Sequence, residues 1–304
     1  MTPGRRLSML LTATVATAVL VAGCGWGSGS SVGTGTMNLS ITDAPIDADN
    51  VTGVYITVQS VQYHRNGQWA AMEGFDGPKV YNLLELTNGE SALLGSLSLP
   101  AGEYTQIRFM LDVPEEGVAS LPSNPGSYIA YSDKDDDPLF IPSGAQTGYK
   151  VTADEPFTVP ENGEIDVTVD FDLRKAIVVA GGQGFLLKPV LRLVVEDQAG
   201  TISGNVTYSG ELADGHSLVV FTYETGEYDE SEPTSGENGF ANAVTSTNVS
   251  EDGEYTLAFL PAGTYDLVVA EFDDAGEYVS ATEAATGVEV EAGETVTVDL
   301  TASD

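Results

Sequence analysis

The sequence predicts an all-β protein: two β-sandwich-like modules in tandem, placed after a signal peptide and a flexible tether. Three observations support this prediction. Apolar and polar residues alternate over much of the chain, glycine, proline and asparagine interrupt the short apolar runs, and long helical periodicity is nearly absent. A segment of the first part of the chain also recurs in the second part. Together these features are typical of β-sandwiches with short connections.

The N-terminal residues have the composition of a targeting segment. Arg5 and Arg6 supply positive charge, and residues 7–21 are almost wholly apolar or small. This run is shorter than the roughly 20 residues of a membrane-spanning helix. It suits the hydrophobic region of a secretory signal, so we interpret residues 1–23 as a signal peptide.

The signal ends in Val-Ala-Gly-Cys at residues 21–24 and resembles the lipobox of bacterial lipoproteins. The resemblance implies cleavage between Gly23 and Cys24, with lipid attached to the Cys24 thiol. The alternative is a plain secretory signal with an incidental cysteine. Residues 24–36 then form a tether rich in glycine and serine. The residue after Cys24 is Gly25 and not an aspartate. By the same resemblance, this residue points to the outer membrane of a Gram-negative bacterium.

The charge of the chain limits its partners. The formal net charge is −35, and loss of the signal with its two arginines makes it more negative. No Lys or Arg occurs in residues 201–304. Because nucleic-acid phosphates are bound by basic groups, a nucleic-acid partner is not expected. The acidity is explained by a solvated surface suited to a salty medium, or by carboxylates that collect calcium.

Several short segments carry specific structural signals. Residues 165–173 alternate strictly, which predicts a strand with its apolar residues inside and Asp170 and Asp172 facing water. Asn66-Gly67 predicts a tight hairpin turn. Residues 80–89, VYNLLELTNG, are the place where we expect one short helix.

The internal repeat joins LPAGEYTQIRFML at 99–111 with LPAGTYDLVVAEF at 260–272. We interpret both copies as a Pro-Ala-Gly turn leading into a strand, with Tyr104 or Tyr265 packed at its start. The modules are placed at residues 37–197 and 198–304, with their boundary near 197–200.

Four more motifs accompany the first copy: LSITDAP at 39–45, PLFIPSGAQTGYKV at 138–151, VDFDLRKAIV at 169–178 and FLLKPVLRLV at 185–194. In this order they resemble the bacterial domain of unknown function 4382 family, over about residues 36–197. The resemblance implies a β-rich, lipoprotein-associated domain with no established activity.

The second module resembles a different family. GTISGNV at 200–206 and EDGEYTLAFLPAGTYDLVVA at 251–270 are similar to carboxypeptidase regulatory-like domains. That resemblance implies a transthyretin-like β-sandwich, a fold often found beside bacterial surface and carbohydrate-active modules.

Enzymatic chemistry is poorly supported by the residues. No catalytic motif is found, no catalytic residue is assigned, and His64 and His216 are interpreted as surface or packing residues. A remote alternative is a carboxylate-dependent glycoside hydrolase using Asp170 and Asp172, roughly 7 Å apart along a strand. We prefer a solvated strand face for this pair, because no buried acid accompanies it.

Calcium binding has a leading candidate site in one acidic segment and a second candidate in the acidic loop at residues 224–237. Asp133, Asp135 and Asp137 alternate in SDKDDDPLF, and alternating aspartates can converge oxygens on calcium. A plain acidic turn is the alternative, and Pro138 departs from an EF-hand loop. A second acidic loop at 224–237 is flanked by Tyr223, Tyr228 and Phe240, which would also suit a sugar-binding surface.

These observations predict a lipid-anchored cell-envelope protein that is not an enzyme. The first hypothesis is a binding or adhesion module whose ligand is a carbohydrate. The second is a structural or assembly component that works as a spacer or as a partner of other envelope proteins. Calcium is the only cofactor considered, and the membrane is contacted through the N-terminal lipid.

Overall fold

The computed structural model describes residues 33–44, 50–113, 126–142, 144–179, 185–234 and 239–303. Alternating apolar residues form strands along most of this length, and the first half of the fold comprises the strands up to Val195. These strands are β1 (Thr34–Ala44), β2 (Val51–Arg65), β3 (Gln68–Ala71), β4 (Lys79–Asn82), β5 (Ala92–Pro100), β6 (Gly102–Asp112), β7 (Tyr128–Tyr131), β8 (Asp137–Phe140), β9 (Tyr149–Val159), β10 (Glu164–Asp172), β11 (Ile177–Val179), β12 (Phe185–Leu187) and β13 (Leu191–Val195).

The first half consists of two sheets that share one hydrophobic core. One sheet has the order β13-β10-β1-β5, in which β1 and β10 run parallel. The other has the order β11-β12-β8-β7-β2-β6-β9, with β3 and β4 also paired to β2. Inward-facing residues of both sheets, such as Leu39, Ile56, Phe109 and Val169, are fully buried in that core. The arrangement buries one face of each strand, as the alternation predicts.

The second half comprises the strands after the short 3-10 helix Glu196–Gln198. They are β14 (Ala199–Tyr208), β15 (Ser217–Glu224), β16 (Thr245–Asn248), β17 (Glu254–Pro261), β18 (Gly263–Phe272), β19 (Tyr278–Val290), β20 (Thr295–Thr297) and β21 (Leu300–Ala302), with a 3-10 helix at Glu232–Thr234. One sheet has the order β17-β14-β20, with β21 also paired to β14, and the other has the order β16-β15-β18-β19. The fold is therefore all-β, as predicted.

The turn predicted from the Asn-Gly dipeptide is present in the structure. Asn66 and Gly67 both have positive φ, 52° and 75°, and join β2 to β3 in a two-residue hairpin. Positive φ at both turn residues favours Asn-Gly, so this prediction is confirmed. The short helix expected within residues 80–89 is a 3-10 helix at Leu83–Glu85. A four-residue α-helix, α1 (Leu173–Ala176), was not predicted.

The repeated motif forms the same structure twice. β6 and β18 each begin after a Pro-Ala turn, and both tyrosines are buried at the start of their strand. The Tyr104 hydroxyl donates to the carbonyl of Pro100, and the Tyr265 hydroxyl donates to that of Pro261 over 2.7 Å. Each tyrosine therefore closes the turn that precedes it, which confirms the packing role predicted for both.

Residues 33–304 pack as one compact unit. Each named strand pairs with strands of its own half, and β14 begins at Ala199, within the segment where the boundary was predicted. The division into domains at 37–197 and 198–304 stays a prediction. Within the described ranges, no helix has the length and apolar character needed to span a membrane.

One prediction about β10 is wrong. Asp170 and Asp172 were expected to face water, but they are only 5% and 7% exposed, and Thr168 is fully buried. The alternation correctly separates two faces of the strand. The polar face is also covered in its C-terminal part, because ion pairs and the second half of the fold lie against it.

Candidate functional site

The densest group of buried charges lies where the two halves meet. It comprises three aspartates, Asp43 on β1 and Asp170 and Asp172 on β10, and three cations, Arg174 and Lys175 on α1 and Arg192 on β13. We call this group the junction cluster. The aspartates are each less than a tenth exposed. Buried carboxylates at this density require compensating partners, so their contacts indicate what the site can do.

Asp170 is paired directly with Arg192. The two residues face each other across β10 and β13, and Arg192 Nη2 donates to Asp170 Oδ2 over 2.7 Å. Arg192 Nη1 donates to the carbonyl of Phe259 on β17 over 2.9 Å. Burial raises the pKa of Asp170, and the nearby guanidinium of Arg192 opposes that rise. One arginine therefore compensates a carboxylate of the first half and hydrogen-bonds the second half.

Asp172 is paired with two cations from the helix that follows it. Its Oδ2 atom accepts hydrogen bonds from Arg174 Nη2 at 3.0 Å and lies 3.2 Å from Lys175 Nζ. Lys175 also donates to the carbonyl of Ala243 over 2.5 Å, and Arg174 lies over the ring of Phe221 at 5.0 Å. Burial lowers the pKa of Lys175. Both cations thus extend from a first-half carboxylate to the second half.

Asp43 lacks a cation of its own. Its Oδ1 atom accepts a hydrogen bond from the Leu173 backbone N–H at 3.3 Å, whereas Oδ2 is buried without a hydrogen-bond partner. Burial, and then the negative charges of Asp170 and Asp172, raise the pKa of Asp43 well above its usual range. Asp43 therefore favours the protonated form far more than an exposed aspartate does.

A small cavity adjoins the cluster. Asp43, Asp170, Ser246 and Phe259 are among the residues that line it, and its volume is about 20 Å³. Such a volume holds about one water molecule, whereas pockets for small molecules measure about 300–1,000 Å³. Gly89 also lines the cavity at φ 81°, and a Cβ there would lie 3.1 Å from Thr256 Cγ2. The halves therefore approach too closely at this point for a saccharide to enter.

The structure places the other predicted site residues apart from this cluster. Asp133 and Asp135 are exposed, and Asp137 forms an ion pair with Lys134 at 2.8 Å. Within the ranges that the structure describes, no three His, Cys, Asp or Glu side chains are grouped so as to hold a metal ion. The three aspartates are thus not brought together, and a calcium site there stays a prediction. Gly23 and Cys24 lie outside the described residues.

The aromatic residues beside the second acidic loop do not form an exposed surface. Tyr223 and Phe240 are 0% and 2% exposed, and Phe240 stacks on Phe221 with ring centroids 3.9 Å apart. They belong to a hydrophobic cluster on the face of the β16-β15-β18-β19 sheet that is turned away from the main core of the second half. Tyr223 and Phe240 are therefore not available to a sugar, whereas Tyr228 is half-buried with its ring centroid 5.1 Å from that of Tyr223, and a sugar contact there stays a prediction.

The two histidines differ in their surroundings. His216 Nδ1 lies 2.6 Å from Glu271 Oε1, and this glutamate is buried. His64 lies beside Trp69, with ring centroids 5.0 Å apart. Neither histidine contacts the junction cluster through any described hydrogen bond or ion pair. Their interpretation as packing or surface residues agrees with these contacts.

The protein is thus an all-β protein with two sheets in each half, and the buried cations of the junction cluster hydrogen-bond from the first half to the second. The chain belongs to the family described as "Domain of unknown function (DUF4382)", which matches residues 34–189. The resemblance found in the sequence motifs is therefore confirmed for the first half. No curated protein sequence matches the chain.

The chain also matches solved structures at low similarity. The Bacillus anthracis TIE protein is 13% identical at a TM-score of 0.22, with 90% of this chain and 34% of that one covered. GBS52, the minor pilin of Streptococcus agalactiae, is 12% identical at a TM-score of 0.22, and the match covers 88% of this chain and 96% of GBS52. The fimbrial anchor protein Mfa2 from Porphyromonas gingivalis is 10% identical at a TM-score of 0.19, and the match covers 82% of each chain. This chain spans about a third of the TIE protein, and scores this low indicate nothing about function.

Proposed function

We propose that the protein is a lipid-anchored component of the bacterial cell envelope that acts as a rigid binding or adhesion module and not as an enzyme. The N-terminal sequence supports the anchor: the small residues before Cys24 are those of a lipobox, and the residues rich in glycine and serine between Cys24 and β1 would form the tether. The outer membrane of a Gram-negative bacterium is the proposed location. Residues 198–304 would be a carboxypeptidase regulatory-like domain.

The junction cluster is the observation that carries the proposal. A catalytic acid or base must reach a substrate, and the groups with perturbed pKa values are the usual candidates for that role. Here Asp170 and Lys175 make their hydrogen bonds to protein atoms, and the cavity beside Asp43 has room for one water. The same contacts stiffen the connection between the halves. This arrangement favours a mechanical or binding role over hydrolysis by Asp170 and Asp172.

A structural or assembly role is the second candidate, and the same rigidity favours it. Arg192 and Lys175 hydrogen-bond backbone carbonyls of the second half, so the two halves would move as one body. A rigid body on a flexible tether suits a spacer that holds a partner protein away from the membrane. The two candidates differ in the partner, which is a carbohydrate or another surface polymer in the first and an envelope protein in the second.

The experiment uses the full chain in a Gram-negative host, with Cys24→Ala as the matched control. Cells are fed an alkyne fatty acid, fractionated and treated with a cross-linker. We expect label in the membrane fraction for the natural chain and no label for the variant, whose signal peptide would still direct its export. An unlabelled natural chain, or a labelled variant, would contradict the anchor.

The detergent-solubilised chain is then tested on a polysaccharide panel, with calcium and again with chelator. Saturable retention supports the binding role, and its loss with chelator would extend the test to Asp133, Asp135 and Asp137. A single reproducible cross-linked neighbour without retention supports assembly. Hydrolysis of a polysaccharide that disappears in Asp170→Asn would overturn the non-enzymatic proposal.

A further inference from the structure

A second group of polar residues lies on the outer face of the larger sheet of the first half. It comprises Gln62 and His64 on β2, Trp69 on β3, Arg108 on β6 and Lys150 on β9, and we call it the Trp69 patch. Strand pairing places these residues together: His64 is opposite Trp69, and Arg108 lies between Gln62 and Lys150.

Arg108 is held in place before any ligand arrives. Its Nε and Nη2 atoms donate to Gln62 Oε1 over 2.9 and 2.7 Å, and Nη1 donates to the carbonyl of Thr147 over 2.7 Å. Its guanidinium lies 4.3 Å from the centroid of the Trp69 ring. A guanidinium carries five N–H groups, so two remain for a ligand. An arginine fixed in this way loses little conformational entropy on binding.

A glycine permits this position of the arginine side chain. Gly148 has φ 77°, and a Cβ at this residue would lie 2.8 Å from Arg108 Cδ. Any larger residue would displace the stem of Arg108. The backbone of the turn before β9 is thus shaped to let the guanidinium lie against Trp69.

The charge of the patch contrasts with that of the whole protein. Arg108 and Lys150 are directly opposite each other on neighbouring strands, a placement that is unfavourable for like charges. Across the described ranges, neither forms an ion pair with a carboxylate, although the chain has 46 acidic and 11 basic residues. A bound anion would relieve the repulsion and fill the remaining N–H groups of Arg108.

We propose that the Trp69 patch binds an acidic polysaccharide, with a uronate carboxylate held between Arg108 and Lys150. The inference rests on the proposed function as a binding module and names its ligand class. The Trp69 ring lies against the Arg108 guanidinium, so it contributes by holding that cation in place. Gln106 and Thr152, the next facing pair along these strands, can hydrogen-bond sugar hydroxyls.

A thin polymer suits the electrostatics better than an acidic protein does. The net charge of −35 repels any large acidic surface that approaches the sheet. Charges further away than the Debye length of about 8 Å are screened at physiological salt. An extended sugar chain brings only a few carboxylates within that distance of the protein, and those nearest the patch meet its two cations.

The test measures affinity of the full chain in detergent for polygalacturonate, with its methyl ester as the uncharged control. We expect saturable binding to polygalacturonate and at least tenfold weaker binding to the ester. Arg108→Gln should weaken binding at least tenfold and Lys150→Gln about fivefold. Lys134→Gln is the matched control, because Lys134 is also an exposed lysine over an aromatic ring, and it should change binding less than twofold.

Each result has a defined meaning, and thermal unfolding shows whether the variants remain folded. No binding to polygalacturonate, or binding that survives in the Arg108 and Lys150 variants, would overturn the assignment of the patch. If poly-glutamate binds with the same affinity as polygalacturonate, the conclusion that the ligand is a polysaccharide would be overturned. If a neutral polysaccharide binds and both variants leave it unchanged, the patch assignment fails while the proposed binding function stands. Failure of the fatty-acid labelling contradicts the anchor alone.

Discussion

The two halves of the protein solve the same problem, the burial of carboxylates, in different ways. In the first half Asp170 and Asp172 are paired with Arg192 and with Arg174 and Lys175. In the second half, where residues 201–304 contain no Lys or Arg, Asp266 is 3% exposed and accepts two backbone N–H groups instead.

Glu271 shows the second solution as well. It is 4% exposed and accepts a hydrogen bond from the Tyr208 hydroxyl over 2.6 Å, and His216 lies at the same distance. All of these partners belong to the second half. The comparison shows that the carboxylates paired with long cationic side chains are linked through them to the other half, whereas Asp266 and Glu271 take their donors from their own half.

The largest effect is expected where a cation connects the halves. Arg192→Met leaves Asp170 buried without its partner, and removal of one member of a buried pair costs about 3–5 kcal/mol. We expect this loss in the free energy of unfolding measured with urea. Hydrogen exchange should increase in β10, β13 and β17 together, because the carbonyl of Phe259 also loses its donor.

The control for this variant is the double change Asp170→Asn with Arg192→Met. It removes both charges, so it should recover part of the lost stability. If the single Arg192 variant is as stable as the natural protein, the ion pair does not connect the halves as described.

The second effect concerns a carboxylate with no cation. Asp266→Asn replaces one acceptor oxygen, which leaves the N–H of Gly226 or Gly287 without its partner. Loss of a hydrogen bond to a charged group costs about 1.5–3 kcal/mol. Increased hydrogen exchange should stay near the turns at these two glycines. Asp299→Asn, at an exposed residue that accepts one backbone bond from Asn205, is the control and should cost less.

The third prediction concerns pH. Because the pKa of Asp43 is raised in the folded state, the folded protein binds this proton more tightly than the unfolded chain does. The contribution of Asp43 to stability therefore falls as pH rises from the ordinary pKa of 3.8 toward the raised value. Asp43→Asn removes this dependence. Relative to the natural protein, the variant should therefore gain stability as pH rises from 4 to 8.

Urea unfolding of both proteins at each pH measures the difference and cancels the contributions of other carboxylates. Asp229, which is exposed, serves as the control position, since its pKa is lowered by hydrogen bonds from Ser231. Asp229→Asn should produce no such gain as pH rises. A constant difference between the Asp43 variant and the natural protein would show that Asp43 is not protonated preferentially in the folded state.

The smallest effect compares the repeated turns. Tyr104→Phe and Tyr265→Phe each remove one hydroxyl-to-carbonyl bond, worth about 0.5–1.5 kcal/mol. Tyr104 also lies beneath Arg65, with the guanidinium carbon 5.7 Å from the ring centroid. We expect similar losses of thermal stability in the two variants. An effect for one tyrosine only would show that the two turns are not equivalent.

Sequence reasoning found the elements whose signal is local. Asn66-Gly67, the alternation of β10 and the two Pro-Ala-Gly turns with their tyrosines were predicted from a few neighbouring residues. The family resemblance also located the first half correctly. Each of these signals depends on backbone geometry that the residues specify among themselves.

The candidate site was mostly missed, for a physical reason. Asp170 was identified, but as a solvent-exposed residue, because a period of two separates the faces of a strand without showing what covers each face. Asp43 and Arg192 were not identified at all. The useful signal was the alternating VDFD followed by Arg-Lys at 169–175, where charged residues of both signs follow a buried strand.

By itself, the sequence determined the all-β class, the turns, the repeated motif and the absence of cations from residues 201–304. Only the tertiary structure decided that the C-terminal part of the polar face of β10 is buried and that Arg108 and Lys150 meet beside Trp69. The reason is that strand identity depends on local alternation, whereas burial and charge pairing depend on which distant strands become neighbours. Residues 22 positions apart in the chain, Asp170 and Arg192, are brought within 2.7 Å only by that pairing.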